Sequence, residues 1–128
     1  MNDGQYVIYG MLGFMLLLYA RKAWYRRSIP NYTPATLTER MHTPYDLFLL
    51  DVRTDGERKQ GTIKGSHHIP LHQIVKRMKE LEKNKSKEIV CFCQTGSRSI
   101  SAAITLKKHG FRVANLEGGM AEWNFANR

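Results

Sequence analysis

The chain has 128 residues, which is enough for one compact domain and a short appendage but too few for two domains with separate cores. Its formal net charge of +9 suits nucleic acid, acidic lipid or a small anion, and charge alone does not choose among them. The lysine- and glutamate-rich stretch 76–88 favours a solvated surface, so we expect no nucleic-acid partner. Two cysteines lie two residues apart, where a strand would prevent a mutual disulfide, and this usage is typical of a reducing compartment.

The first thirty residues differ from the rest of the chain. No charged residue lies between Gly4 and Ala20, and this run is apolar on all sides, as in a helix placed in lipid or in a deep core. We predict one transmembrane helix over residues 4–25 within an anchor and linker segment 1–30, followed by a domain over 31–128. The basic cluster that ends the run places this domain on the cytoplasmic side of the cell membrane, in a single-pass arrangement; it consists of Arg21, Lys22, Arg26 and Arg27.

Two other interpretations of the N-terminal segment stay open. A cleaved secretory signal needs positive charge before the apolar run, and here the only early charge is Asp3. A peripheral or packed helix is the second alternative. The sequence does not indicate an oligomeric state.

Strand and helix patterns alternate along the remaining chain. Helices are predicted at 33–41, 71–83, 97–109 and 119–125, with a helical turn at 57–60. Strands are predicted at 46–52, 88–92 and 112–116, and the stretch 63–70 carries two glycine-containing turns and a short strand candidate. The stretch 28–33 is predicted to be a linker. This alternation favours an α/β fold, with a parallel sheet covered by helices on both faces and ligands bound beyond the carboxyl ends of the strands.

The segment Cys-Gln-Thr-Gly-Ser-Arg-Ser at 93–99 lies at such a strand end, just before a helix. A loop that leads into a helix turns its backbone N–H groups inward, and Gly96 permits the backbone angles that the turn needs. These amides, the helix dipole and Arg98 would stabilise a thiolate, so we predict that Cys93 is ionised near neutral pH. Cys91, one strand position earlier on the same face, is predicted to be buried and inert.

Three segments of the chain, between Tyr32 and Trp123, resemble the signatures of the rhodanese family. The active-site segment at 89–99 is similar to C-x-x-G-x-R-S, and 113–123, with Leu-Glu-Gly-Gly and a tryptophan, is similar to the closing signature. The first signature is matched by Asp-Val-Arg at 51–53, Glu57, Gly-Thr-Ile-Lys-Gly-Ser at 61–66 and Ile-Pro at 69–70. The short form behind an N-terminal hydrophobic segment resembles bacterial membrane-anchored rhodanese-like proteins.

This resemblance implies a rhodanese-like open parallel sheet and a thiosulfate sulfurtransferase activity. Cys93 would take a sulfane sulfur from a small anionic donor, hold it as a persulfide and pass it to a thiol or protein acceptor. The donor would be bound by the loop residues Gln94, Thr95, Gly96, Ser97, Arg98 and Ser99. Asp51, Arg53 and Glu57 would be scaffold residues, and no cofactor or metal is expected.

Other functions fit the sequence less well. Cysteine-dependent phosphatases of similar fold need five residues between cysteine and arginine, whereas four separate Cys93 from Arg98. A membrane-tethered interaction or persulfide-carrier module, with little turnover of small donors, is the main alternative, because Gln94 and Thr95 bring no charge to the loop. Metal binding by His67, His68 and His72 is disfavoured, because their spacing matches no known ligand set.

Overall fold

Five parallel strands form one sheet in a computed structural model that describes residues 2–43 and 46–128. The strand order is β1-β5-β4-β2-β3, so the predicted open parallel sheet is confirmed. Two of the predicted strands, 88–92 and 112–116, have the predicted bounds. The strands are β1 (Asn31–Tyr32), β2 (Leu47–Asp51), β3 (His67–His68), β4 (Glu88–Phe92) and β5 (Arg112–Leu116).

Helices cover both faces of the sheet, as predicted. One face packs against α4 and α5 around Ile74, Ile100 and Leu106, and the other packs against α2 and α6 around Leu37 and Met120. Because both faces are covered, β4 is buried along nearly its whole length, as its continuous apolar sequence indicates. The helices are α1 (Asp3–Arg27), α2 (Pro34–Arg40), α3 (Asp55–Lys59), α4 (Ile74–Arg77), α5 (Ser97–Lys108) and α6 (Gly119–Ala126).

Two predicted helices differ in the structure. The turn at 57–60 begins earlier, because Thr54 and Glu57 form a reciprocal capping box at the start of α3. The predicted helix 71–83 is not a single α-helix, since α4 is flanked by the 3₁₀ segments Leu71–Gln73 and Met78–Asn84. Residues three apart lie on the same side of a 3₁₀ helix, so the tighter winding directs Met78 and Leu81 together into the core.

The predicted linker 28–33 contains part of the fold. Ile29 is buried in the core, and β1 pairs with β5 through Asn31 beside Asn115 and Tyr32 beside Leu116. Proline before a two-residue strand gives no pattern long enough to indicate this edge strand. The division of the chain at residue 30 stays a prediction.

Helix α1 does not support the predicted transmembrane segment. In the part of the chain that the structure describes, no helix is long and apolar enough to cross a membrane. The helix has 25 residues, but its uncharged run 4–20 corresponds to only about 25 Å, against about 30 Å for a bilayer core, and Arg21 and Lys22 follow it directly. None of the residues of α1 is buried.

Candidate active site

The loop between β4 and α5 carries Cys93 at the carboxyl edge of the sheet. The strand β4 lies between β2 and β5, so the loop emerges near the middle of the sheet. Gly96 has φ of +106°, a conformation that favours glycine, and it ends the loop where α5 begins. The chain therefore turns sharply enough at Gly96 to bring the first amides of α5 back towards the thiol.

The Cys93 sulfur is surrounded by hydrogen-bond donors. The Gly96 N–H donates to Sγ at 3.0 Å, and the Ser99 hydroxyl lies 3.4 Å from Sγ. Burial alone would raise the pKa of the Cys93 thiol, but hydrogen bonds from Ser99, Gly96 and Thr95 outweigh it, so the pKa lies below its ordinary value. The predicted activated thiolate therefore has a structural basis in this loop.

A chain of polar side chains continues behind Ser99. Its hydroxyl bonds to the Asn115 amide oxygen, and Asn115 Nδ2 donates to Asn31 Oδ1 at 2.9 Å. The single Ser99 proton also lies within reach of the Gly96 carbonyl at 3.0 Å and of the Cys93 sulfur. Ser99 and Asn115 are almost completely buried, and through them this network links the thiol to Asn31 on the edge strand β1.

Cys91 has the opposite environment. It is completely buried in the same core cluster as Cys93, and no hydrogen-bond donor offsets that burial. Burial, with a smaller effect from the neighbouring Cys93, raises the pKa of Cys91 to about 12. Cys91 therefore stays a protonated thiol at neutral pH and is a poor nucleophile, as its apolar surroundings indicate.

Arg98 faces Glu57 in a two-pronged ion pair. Its Nη1 and Nη2 atoms donate to the Glu57 carboxylate at 2.6 and 2.7 Å. This bonding, with burial acting against it, lowers the pKa of Glu57 to about 2. Arg98 was predicted to stabilise the thiolate and to bind the donor. The structure places its charge against the Glu57 carboxylate, so the role that the geometry supports is ordering of the loop.

A second ion pair supports the loop from below. Arg53 and Asp51 are both buried, and the guanidinium contacts both carboxylate oxygens, at 3.1 and 2.9 Å. Arg53 Nη1 also donates to Gln94 Oε1 at 3.4 Å. Since Asp51 lies beside Phe92 in the sheet, this pair fixes the chain immediately before and after Cys93.

The N-terminus of α6 closes the loop from the other side. The Met120 and Ala121 N–H groups donate to the carbonyls of Cys93 and Gln94 at 2.8 and 3.1 Å. Gly119 allows this approach, because a Cβ atom there would lie 2.4 Å from the Cys93 carbonyl oxygen. The backbone of Cys93 is therefore fixed by helix N–H groups while its side chain faces the α5 amides.

The thiol is covered by its own loop. Cys93 is 0% exposed, while Thr95, Gly96 and Ser97 line an open cavity of about 300 Å³ together with Arg26 and other residues. Gly96 both lines this cavity and donates to the sulfur. The Gly96 turn thus lies between the cavity and the thiol.

The predicted site residues come together, with two additions. All seven residues 93–99 lie in the loop and the first turn of α5, and Asp51, Arg53 and Glu57 lie next to it. Asn115 and Gly119 were not singled out. The signal for Asn115 was an amide inside the apolar strand β5, and for Gly119 it was a second glycine at the start of α6.

The histidines have other partners. His67 Nε2 lies 3.2 Å from Glu80 Oε1, and His68 Nε2 lies 2.7 Å from the Arg53 carbonyl oxygen. Within residues 2–43 and 46–128, no three histidine, cysteine, aspartate or glutamate side chains gather as metal ligands. His68 instead holds the backbone behind the buried Arg53.

A parallel α/β sheet with an activated thiol in a strand-to-helix loop defines a class of cysteine-dependent transfer proteins. The chain belongs to the rhodanese-like domain family, which matches residues 33–126. It is 37% identical over 95 residues to a putative sulfurtransferase of Bacillus subtilis (strain 168), covering 74% of this chain and 90% of that protein. It is also 37% identical over 89 residues to a sulfurtransferase of Allochromatium vinosum, covering 69% and 81%.

The structural comparison agrees with the sequence comparison. The crystal structure of a rhodanese-related protein from Thermoplasma volcanium matches with a TM-score of 0.69 and 29% identity. The match covers 76% of this chain and 92% of that one. The rhodanese-like fold predicted from the three signatures is therefore confirmed.

Proposed function

We propose that this protein is a sulfurtransferase that carries a sulfane sulfur on Cys93 as a persulfide and accepts it from a thiosulfate-like donor. The observation that carries the proposal is the set of donors around Sγ, with the Gly96 N–H at 3.0 Å and the Ser99 hydroxyl at 3.4 Å. These groups favour the thiolate, and a thiolate is the nucleophile that such a transfer needs. The relatives named sulfurtransferases support the reaction class.

The reaction proceeds in two displacements. The Cys93 thiolate attacks the outer sulfur of thiosulfate, a new S–S bond forms, and the sulfur–sulfur bond of the donor breaks. Sulfite leaves with the electron pair, and Cys93 carries a persulfide. A thiophilic acceptor such as cyanide then attacks the outer sulfur, thiocyanate leaves, and the Cys93 thiolate is regenerated for the next cycle.

The loop size supports sulfur rather than phosphate as the group transferred. Four residues separate Cys93 from Arg98, and the Arg98 guanidinium is bound to Glu57 instead of facing the thiol. A phosphoryl group carries charge on three oxygens and is stabilised by cations at that position. A persulfide carries one charge on one sulfur atom, which a small ring of amides accommodates.

The test is a thiocyanate assay on the full chain with thiosulfate as donor and cyanide as acceptor. Cys93→Ser removes the nucleophile and is expected to reduce turnover to background, because a serine hydroxyl is not ionised at neutral pH. Cys91→Ser is the matched control, since it changes the neighbouring thiol, whose pKa of about 12 keeps it out of the reaction. Equal turnover by wild type and Cys93→Ser would contradict the proposal.

A persulfide carrier with slow turnover of small donors is the second candidate. Two observations favour it: Cys93 is completely covered by its loop, and the only arginine of the loop is paired with Glu57. A protein partner that displaces the Gly96 turn would then be the natural donor or acceptor. Slow thiocyanate formation, together with fast loading of Cys93 from a persulfidated protein, would favour the carrier over the thiosulfate enzyme.

We further propose that α1 attaches the domain to a membrane without spanning it, which is the peripheral alternative to the predicted transmembrane anchor. Support comes from its exposed apolar side chains, such as Leu16 at 68% and Leu17 at 62% exposed, which have no partner in the described residues. Burying such side chains in lipid removes apolar area from water. Flotation of the full chain with phosphatidylcholine vesicles tests this, and failure to float would contradict it.

A further inference from the structure

A groove of about 510 Å³ lies between the C-terminal half of α1 and the outer side of α5. None of its lining residues belongs to the 93–99 loop, so it is separate from the site of sulfur transfer. It is larger than the 300 Å³ cavity next to that loop. The proposed sulfur chemistry gives this groove no role.

Three cations line the groove. Arg21 and Lys22 come from α1, Lys108 comes from α5, and no acidic residue lines the groove with them. Among residues 2–43 and 46–128, none of these three side chains forms an ion pair. The Lys108 ammonium lies 4.9 Å from the centre of the Tyr25 ring, a cation–π contact that keeps it beside α1. The groove therefore presents three uncompensated positive charges drawn from two separate helices.

The same groove also has apolar side chains in its lining, beside the polar Ser101. Leu18 and Ile104 line it, and the exposed apolar surface of α1 continues from Leu18 towards the N-terminus. Trp24 and Tyr25 lie at the level of the cations, in the arrangement typical of a boundary between lipid and water. Positive charge at one end of an apolar surface matches an amphiphile that has an anionic head and hydrocarbon tails.

We infer that this groove binds the phosphate headgroup of an anionic phospholipid, with the hydrocarbon tails along the exposed side of α1. The three cations provide the charge complementarity, and Leu18 and Ile104 explain why the ligand is a lipid: a free phosphate would leave both side chains in contact with water. This inference deepens the membrane attachment proposed above. It goes beyond attachment because Lys108 belongs to the catalytic domain and would hold that domain against the lipid surface.

The test is flotation of the full chain with two kinds of vesicle, one of phosphatidylcholine alone and one that also contains phosphatidylglycerol. Wild type is expected to prefer the anionic vesicles. Lys108→Gln is expected to lower that preference about fivefold, the effect of one cation at a charged membrane surface. Lys64→Gln is the matched control: Lys64 is exposed and lies outside the groove, so the same loss of charge leaves the preference nearly unchanged.

The other outcomes separate headgroup binding in the groove from attachment by α1, from attraction by net charge and from binding of a free anion. Equal flotation of wild type with both vesicles would overturn the headgroup site and leave attachment by α1 standing, whereas no flotation with either would overturn both. An equal loss in Lys64→Gln and Lys108→Gln would show general attraction by net charge, which also overturns the groove. Inorganic phosphate is expected to compete no better than chloride at equal ionic strength; stronger competition would identify a free anion as the ligand.

Discussion

The Cys93 loop and helix α1 are held by different forces. The loop is fixed by two ion pairs, by the N–H groups of α6 and by the buried Ser99–Asn115 network. Helix α1 has its own backbone hydrogen bonds and a capping box at Asn2, but no buried residue. The packed core therefore positions Cys93, whereas α1 is exposed surface available to another partner. Identical substitutions in the two regions should have very different effects.

The largest difference is expected for a phenylalanine in each region. Phe92, next to Cys93, is 0% exposed, whereas Phe14 in α1 is 61% exposed. Phe92→Ala leaves a cavity in a packed core and should lower the free energy of unfolding by about 3–5 kcal/mol. Phe14→Ala should change it by no more than about 0.5 kcal/mol. Urea denaturation of both variants, followed by fluorescence, checks this, and comparable losses would mean that α1 packs on the domain.

A glycine in each region gives the next contrast. Gly119 has φ of +57° and a Cβ there would meet the Cys93 carbonyl oxygen at 2.4 Å, whereas a Cβ at Gly10 meets nothing within 4 Å. Gly119→Ala should destabilise the domain by about 2 kcal/mol or more, because it adds backbone strain and a contact with backbone. Gly10→Ala should stabilise α1 slightly, since alanine favours helix. Thermal unfolding and circular dichroism distinguish the two, and a harmless Gly119→Ala would contradict the described closure by α6.

Removal of the Ser99 hydroxyl should make the Cys93 thiolate less stable and so raise the pKa of the thiol. The pKa of Cys93 lies below its ordinary value, so in wild type the rate of alkylation by iodoacetamide should rise with pH and reach half its maximum below the ordinary thiol pKa. Ser99→Ala removes one hydrogen bond to the charged sulfur and should move this curve to higher pH, lowering the rate on its acidic side about tenfold. Ser101→Ala, on the exposed side of α5, is the control and should leave the curve in place. An unmoved curve in Ser99→Ala would assign the activation to the backbone amides alone.

The smallest effect is expected for the ion pair between Glu57 and Arg98, which is partly exposed. Glu57→Gln should lower the free energy of unfolding at neutral pH by about 1 kcal/mol. Because the folded-state pKa of Glu57 is about 2, below the ordinary 4.5, the stabilisation is complete above about pH 4.5 and is lost as the pH falls towards 2. The difference between wild type and Glu57→Gln should therefore vanish in that range, as measured by denaturation at a series of pH values. A difference that persisted at pH 2 would have to come from packing.

The sequence predicted the centre of the fold better than its margins. The strands at 88–92 and 112–116 are short, mostly apolar runs between clear helix signals, so their bounds were readable. The edge strand β1 has two residues and depends on pairing with Asn115 and Leu116, which no local pattern records. The stretch 71–83 has helical spacing, but its 3₁₀ winding is set by tertiary packing of Met78 and Leu81.

In the active site too, features that depend on distant residues were not predictable from the sequence. The motif at 93–99 predicted the thiol, the glycine turn and the following helix, because these depend on neighbours in the chain. Glu57, which neutralises Arg98, is 41 residues away in sequence. Asn115 contacts Ser99 from strand β5. Whether a cation faces the substrate or a carboxylate is decided by the folded chain, which is why the direction of the Arg98 side chain was not predictable.

The most direct test of the central claim is the intact mass of the full chain after incubation with thiosulfate. Wild type and Cys91→Ser are expected to gain about 32 Da, one sulfur atom, which cyanide then removes, because thiolate attack is the step that the loop promotes. Cys93→Ser should gain nothing. A gain that survives in Cys93→Ser, or a folded wild type that never gains sulfur from thiosulfate or from a persulfidated donor, would contradict the persulfide account.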